Sequence, residues 1–336
     1  MAQLVGSRVS RMATRAGTAV AVAELAAVGL TVSPVDASPA SASTVRYGYV
    51  TNDGTSTVSV INTATKKVTG TVDVSLQPLS VAITPNGRFA YVVDAENIVS
   101  VIKISTNKVV DTIDVSNGPT AIAITPNGSY AYVTDGGGNS VNVFKISVNT
   151  VVSTIDIPGS EPTAIAITPN GSYAYVANGA SNNVSVIDTS TNAAVNTVNV
   201  GIAPQAIAIT PSGSYAYVAN TGSNTVSVIS TSTNKVVRTV DVSTQPSAVA
   251  ITPDGSYAYV TNGGSDTVGV INTSTDKIVK RVTVGKRPDG VAFTPDGGYA
   301  YEANGGSDTV SIIKTSTYTV VKTVKVGSEP RGIAFT

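Results

Sequence analysis

A repeat of about forty-two residues constrains this chain more than any other feature. The second aromatic of each paired aromatic motif serves as a ruler: Tyr49, Tyr91, Tyr132, Tyr175, Tyr217, Tyr259 and Tyr301. Successive spacings are 42, 41, 43, 42, 42 and 42 residues. Seven copies at that period point to a propeller with one four-stranded sheet per repeat. Within the copy around Tyr217, four runs rich in Val, Ile, Thr and Tyr predict strands at Ala206–Thr210, Ser214–Ala219, Thr225–Ser230 and Lys235–Val242. No stretch of the repeat region has a 3.6-residue apolar period, so essentially no helix is expected there.

Turn chemistry agrees with that reading. Six copies carry Thr-Pro-Asn/Asp/Ser-Gly, beginning at Thr84, Thr125, Thr168, Thr210, Thr252 and Thr294. Proline presets φ at the second turn position and glycine accepts positive φ at the fourth, so the flanking strands should be antiparallel neighbours. The seventh turn is missing, and the break indicates how the ring closes. A first-strand segment, Gly332–Thr336, ends the sequence, whereas the first copy begins with a second-strand segment, Arg46–Thr51. The expected fold is therefore an all-β, seven-bladed propeller of four-stranded antiparallel blades. Its ring should be closed by pairing the N- and C-terminal strands, which protects edges that would otherwise invite aggregation.

The strings Tyr49-Val50-Thr51-Asn52 and Tyr259-Val260-Thr261-Asn262, with the variants Tyr175-Val176-Ala177-Asn178 and Tyr217-Val218-Ala219-Asn220, carry a family signature. Residues 46 to 336 resemble the YVTN-family β-propeller repeat proteins, a group that includes microbial surface-layer proteins. The resemblance implies a secreted or cell-surface protein, and related seven-bladed propellers include lactonase-type enzymes. The extreme N-terminus is consistent with export. Arg8, Arg11 and Arg15 precede an apolar stretch from Ala19 to Val32 and an Ala40-Ser41-Ala42 cleavage pattern. Residues 1–42 are thus expected to be a signal peptide and residues 43–336 the propeller, although Glu24 interrupts the apolar stretch, and a disordered Ala/Ser-rich tail is the alternative.

Composition narrows the chemistry. The chain has no Cys, His or Trp and a formal net charge of zero. That leaves out thiolate nucleophiles, histidine triads and His-ligated zinc, and gives no basic field for nucleic acid. No cofactor, metal site or membrane span is expected. The Asn/Gly/Ser/Asp loops after each second strand offer too few carboxylates for calcium and suit turns instead. The paired aromatics share one side of each blade and are expected to pack between blades.

Because the copies serve as their own alignment, their departures single out candidates. The x-Pro-x segments entering the first strands should ring one mouth of the central channel. Most are neutral, but the last two carry Arg287, Asp289, Glu329 and Arg331, with Lys286 alongside. Charges of both signs there suit a polar ligand or partner, or simply a solvated surface with weak salt bridges. Glu302 stands where the other copies have Val50, Val92, Val133, Val176, Val218 and Val260. It is expected either between blades, where an unpaired charge is costly, or at a solvated strand end. The leading expectation is a non-catalytic, exported scaffold that binds protein or glycan at the cell envelope or self-associates. The alternative is a lactonase-type hydrolase or isomerase with these carboxylates and arginines as its site.

Overall fold

The computed structural model describes residues 46–336, so the expected signal peptide lies outside the described residues. Twenty-eight strands, numbered β1–β28 in chain order, form seven four-stranded antiparallel sheets. The blade around Tyr217 comprises Pro204–Ile209, Tyr215–Asn220, Thr225–Ser230 and Lys235–Asp241, each within two residues of its expected limits. One turn of 3-10 helix, Asp53–Thr55, departs from the expectation of no helix. It tightens the first β-turn because Ser56 takes a left-handed conformation and donates its backbone N–H to Asp53. Among the described residues no helix is long and apolar enough to cross a membrane.

Closure follows the sequence break. The sheet order is β28 (Pro330–Phe335), β1 (Tyr47–Asn52), β2 (Thr57–Asn62) and β3 (Lys67–Asp73), so the last strand completes the first blade. Gly48 pairs with Phe335 and Val50 with Ile333. Phe335 also crosses to the preceding blade, where its ring meets Tyr301 edge-on at 5.0 Å.

The core consists of seven layers between neighbouring blades. In one of them Tyr175, Val184 and Val186 of one blade meet Ile207, Ala216, Val218 and Ile229 of the next. Alternate residues of a strand face opposite sides. Both sides of the second and third strands are covered, which explains their nearly continuous apolar runs. The fourth strand faces outward and alternates, as in Lys235–Asp241. The aromatic pairs divide accordingly: Tyr132, Tyr175 and Tyr217 are buried, whereas their partners Tyr130, Tyr173 and Tyr215 are exposed at the rim.

Two local devices fix the ends of the blades. In each Thr-Pro-x-Gly turn the threonine hydroxyl accepts the backbone N–H five residues on, as Tyr257 donates to Thr252 Oγ1 at 3.0 Å, and the glycine has φ between 66° and 76°. At the other end, an Asn or Asp of the preceding turn accepts the backbone N–H of the residue before proline. Asp266 Oδ1 receives Arg287 N at 2.9 Å, and Asp308 Oδ1 receives Glu329 N at 3.0 Å. These bonds hold the x-Pro-x segments around the channel mouth.

Candidate functional site at the channel mouth

The seven first strands line the central channel, and the residue after each proline forms a ring at its mouth. Where this residue is Thr or Ser, its hydroxyl donates to the carbonyl of the next blade's proline. Thr120 reaches Pro162 at 2.7 Å, Thr163 reaches Pro204 at 2.9 Å and Ser247 reaches Pro288 at 3.0 Å. Asp289 and Arg331 break this neutral ring. Arg331 Nη1 donates to Asp289 Oδ2 at 3.3 Å, and Arg331 Nε donates to Asp53 Oδ2 at 2.7 Å.

Close approach of the two strands makes this possible. Gly290 and Gly332 stand where the corresponding residues are Ser80, Ala121, Ala164, Ala206 and Ala248. A Cβ on Gly290 would lie 2.1 Å from the carbonyl oxygen of Arg331. Only glycine lets the backbones carrying Asp289 and Arg331 come so near.

A cavity of about 400 Å³ opens at this mouth and is lined by Arg287, Asp289, Glu329 and Arg331 together with Gln205 and Gln245. Four of the six candidates therefore converge. Lys286 is exposed outside that lining, and its backbone N–H is held by the Ser307 hydroxyl at 3.1 Å. Glu302 is not at the mouth either. It is wholly buried between blades, with Oε2 accepting from Thr261 Oγ1 at 3.0 Å and Oε1 unpartnered. This decides between its two expected placements, since both faces of a second strand are covered. Burial raises its carboxyl well above the usual range, against the opposing Thr261 bond, which favours the protonated form.

Sequence comparison overlooked Asp53. It is buried, and it anchors Arg331. The signal was available: the equivalent residues are Ala95, Gly136, Gly179, Thr221, Gly263 and Gly305, so Asp53 is the one acid at that position. Arg331 uses two of its five N–H donors on the two carboxylates, which fixes the guanidinium plane and leaves the others for a ligand. Enclosure in the channel raises the Asp289 carboxyl above its ordinary value, with Asp53 adding to the rise and Arg331 and Arg287 opposing it.

A carboxyl with a raised pKa beside a fixed guanidinium is an arrangement that could serve acyl transfer. The model of the family described as lactonase, 7-bladed beta-propeller, matches residues 43–195 and 188–330. The chain belongs to that family. This corrects the expectation of a non-catalytic scaffold, which rested on an empty catalytic inventory. Lack of histidine removes one kind of base, but carboxylate and arginine remain, and the fold gathers them at one mouth.

Among solved structures, this lactonase-family propeller is similar to hydrazine synthase of Kuenenia stuttgartiensis at 27% identity and a TM-score of 0.74, covering 80% of this chain and 92% of that one. A functionally unknown protein from Desulfotomaculum acetoxidans matches at 22% identity and a TM-score of 0.76, over 86% and 98% of the two chains. A Bacteroides fragilis protein described as a 6-phosphogluconolactonase matches at 18% identity and a TM-score of 0.76, over 88% and 99%. The last two likenesses speak for the fold alone. No curated protein sequence matches the chain.

Proposed function

We propose that the channel mouth is the active site of a hydrolase that opens lactone rings. Membership of the lactonase propeller family carries this reading, and the Asp53–Arg331–Asp289 array supplies residues for it. The free donors of Arg331 would bind the lactone carbonyl oxygen and stabilise the oxyanion that forms there. Asp289, in its ionised form, would take a proton from the attacking water. Addition to the acyl carbon gives a tetrahedral intermediate, which collapses as the ring C–O bond breaks. The departing alkoxide takes the proton back from Asp289, leaving a hydroxy acid and a base ready for another turnover. Arg287 and Glu329, exposed at the rim, would orient the rest of the substrate.

Hydrolysis of a sugar-acid δ-lactone, followed by pH-stat titration after subtracting the spontaneous rate, tests this. Arg331→Ala and Asp289→Asn should each lower kcat/KM by about 10²–10³-fold. Because the Asp289 carboxyl is raised, the wild-type rate should climb with pH above the ordinary carboxylate range. Equal rates for wild type and both variants would dismiss the site. We further propose that this YVTN-type propeller works after export, supported by the Arg8–Arg15 and Ala40–Ala42 features of its N-terminus. N-terminal sequencing of the mature protein should then begin near Ser43.

A further inference from the structure

The Thr-Pro-x-Gly turns and the turns between third and fourth strands lie at the ends of the blades away from the channel mouth. At that opposite face a cavity of about 640 Å³ opens between two blades, Pro246–Thr283 and Pro288–Lys325. Tyr257, Tyr259, Tyr318, Asp254 and Asp296 line it, and no lysine or arginine does.

Three departures from the repeat meet there. Asp254 and Asp296 fill the turn position held elsewhere by Asn86, Asn127, Asn170 and Ser212. Tyr318 fills the left-handed turn position held by Asn107, Asn149, Asn192, Asn234 and Asp276 in five other blades. In those five, the side chain accepts a hydrogen bond from the buried tyrosine of the preceding blade. Tyr175 to Asn234 at 2.6 Å and Tyr217 to Asp276 at 2.7 Å are examples. Tyr318 removes that acceptor, and the hydroxyl of Tyr259, a wholly buried residue lining the cavity, has no partner.

The seventh copy of this position indicates what belongs in such a groove. Lys66 takes the place of Tyr318 there, and again the buried tyrosine, Tyr301, has no hydroxyl partner. The Lys66 ammonium sits 4.2 Å from the ring centroid of Tyr299, the residue equivalent to Tyr257. One interface along, no lysine or arginine lines the cavity, although Arg46 acts on Asp296 from outside that lining, and two carboxylates have been added. Both are held below the usual carboxylate range, first by the hydroxyls of Thr252 and Thr294 and next by backbone N–H groups, and so stay ionised. Each uses Oδ1 for those bonds. Tyr257 and Tyr318 meet edge-on at 5.9 Å and present ring surface beside them.

We propose that this interblade cavity binds an organic ammonium ion. The ring faces attract the cation, the two aspartates neutralise it, and its N–H groups supply donors for the orphaned Tyr259 oxygen. The site is independent of the channel mouth. A lysine side chain from a partner or a free alkylamine presents the same chemistry.

Calorimetric titration of the full chain with n-butylammonium, tetramethylammonium and methyl glucoside tests the assignment. n-Butylammonium should bind saturably with a dissociation constant on the order of 1 mM, reasonable for five heavy atoms. Asp254→Asn with Asp296→Asn should weaken it by about tenfold or more. Tyr318→Asn restores the acceptor used by the other blades, so it should fold at least as well while losing the site. Lactone opening at the far mouth should be unchanged in all these variants. A preference for tetramethylammonium would retain the aromatic cage but overturn the role of the N–H donors. Absence of saturable binding, preference for the neutral sugar, or affinity unaffected by the aspartate changes would overturn the proposal itself.

Discussion

Replacing Glu302 by valine together with Thr261 by alanine is expected to stabilise the propeller, and to do so more strongly as pH rises. Glu302 is wholly buried with one carboxyl oxygen unpartnered, while the six equivalent valines are equally buried. Leaving a buried polar atom unpaired costs about 1–3 kcal/mol, whereas the Thr261 bond that is lost contributes about 0.5–1.5 kcal/mol. Removing both partners avoids stranding the Thr261 hydroxyl, and Ala177, Ala219 and Ala303 already occupy its position in other blades. The balance is a gain of about 1–2 kcal/mol while the carboxyl is neutral.

Titration adds to that gain. Burial holds Glu302 well above its ordinary value of 4.5, so above that pH the folded chain keeps a proton that the unfolded chain releases. The contribution of this group is complete below its unfolded pKa and is lost as pH rises toward the folded one, by up to about 1.4 kcal/mol per pH unit. Between pH 5 and pH 7 the advantage of the double variant should widen as this contribution is lost, so its Tm should rise further above that of wild type at each step. Asp94 and Asp135, whose carboxyls are raised by burial to about 7 and about 6, titrate in both proteins and cancel from the difference. Thermal melts of both proteins at pH 5, 6 and 7 give the result directly. A gap that stays constant across this range, or a variant that melts below wild type at pH 7, would refute the reasoning.

Asp94→Asn supplies the residue that five other blades have at this position, and it should raise Tm by about 8 °C at pH 8. The gain should develop between pH 4 and 7 and then level off, because burial raises the wild-type carboxyl to about 7; a gain already complete at pH 4 would contradict this. Gly290→Ala forces the backbone of Arg331 to move and should lower lactone-opening kcat/KM by about 10²-fold; an unchanged rate would separate catalysis from the Arg331–Asp289 geometry. Deleting residues 331–336 removes most of β28 and its Phe335–Tyr301 contact, and should lower Tm by about 6 °C or more; a truncated chain melting within about 2 °C of the original would show that closure is dispensable.

The fold was legible because periodicity, turn residues and strand alternation all repeat in phase. Thr-Pro-x-Gly places a turn, the tyrosine ruler counts the blades, and the interrupted copy at the ends dictates closure. The site was legible only in part. Arg287, Asp289, Glu329 and Arg331 stood out because they share one repeat position or its neighbour, and the mouth does bring them together. Asp53 lies in a different turn, and its contact with Arg331 exists only once the ring is closed across 278 residues of chain. Glu302 was conspicuous in sequence, but charge alone does not say whether a carboxylate is solvated. Coverage of both faces of its strand does.

A repeat architecture explains why these features occur together in so few blades. The interblade layers demand nearly the same residues in every copy, so function can be written only at positions where a change does not break the layer. The turns at both faces are such positions. The last two x-Pro-x segments and the first post-strand turn converge on one mouth, with carboxylates and a guanidinium. The last two Thr-Pro-Asp-Gly turns and Tyr318 converge on the opposite face, with acids and rings. Glu302 is the exception, because it lies inside a layer and receives only one hydrogen bond there. If the layer tolerates it at a stability cost, as the pH-dependent melts should show, then the blade carrying Asp289 has been shaped for something other than packing.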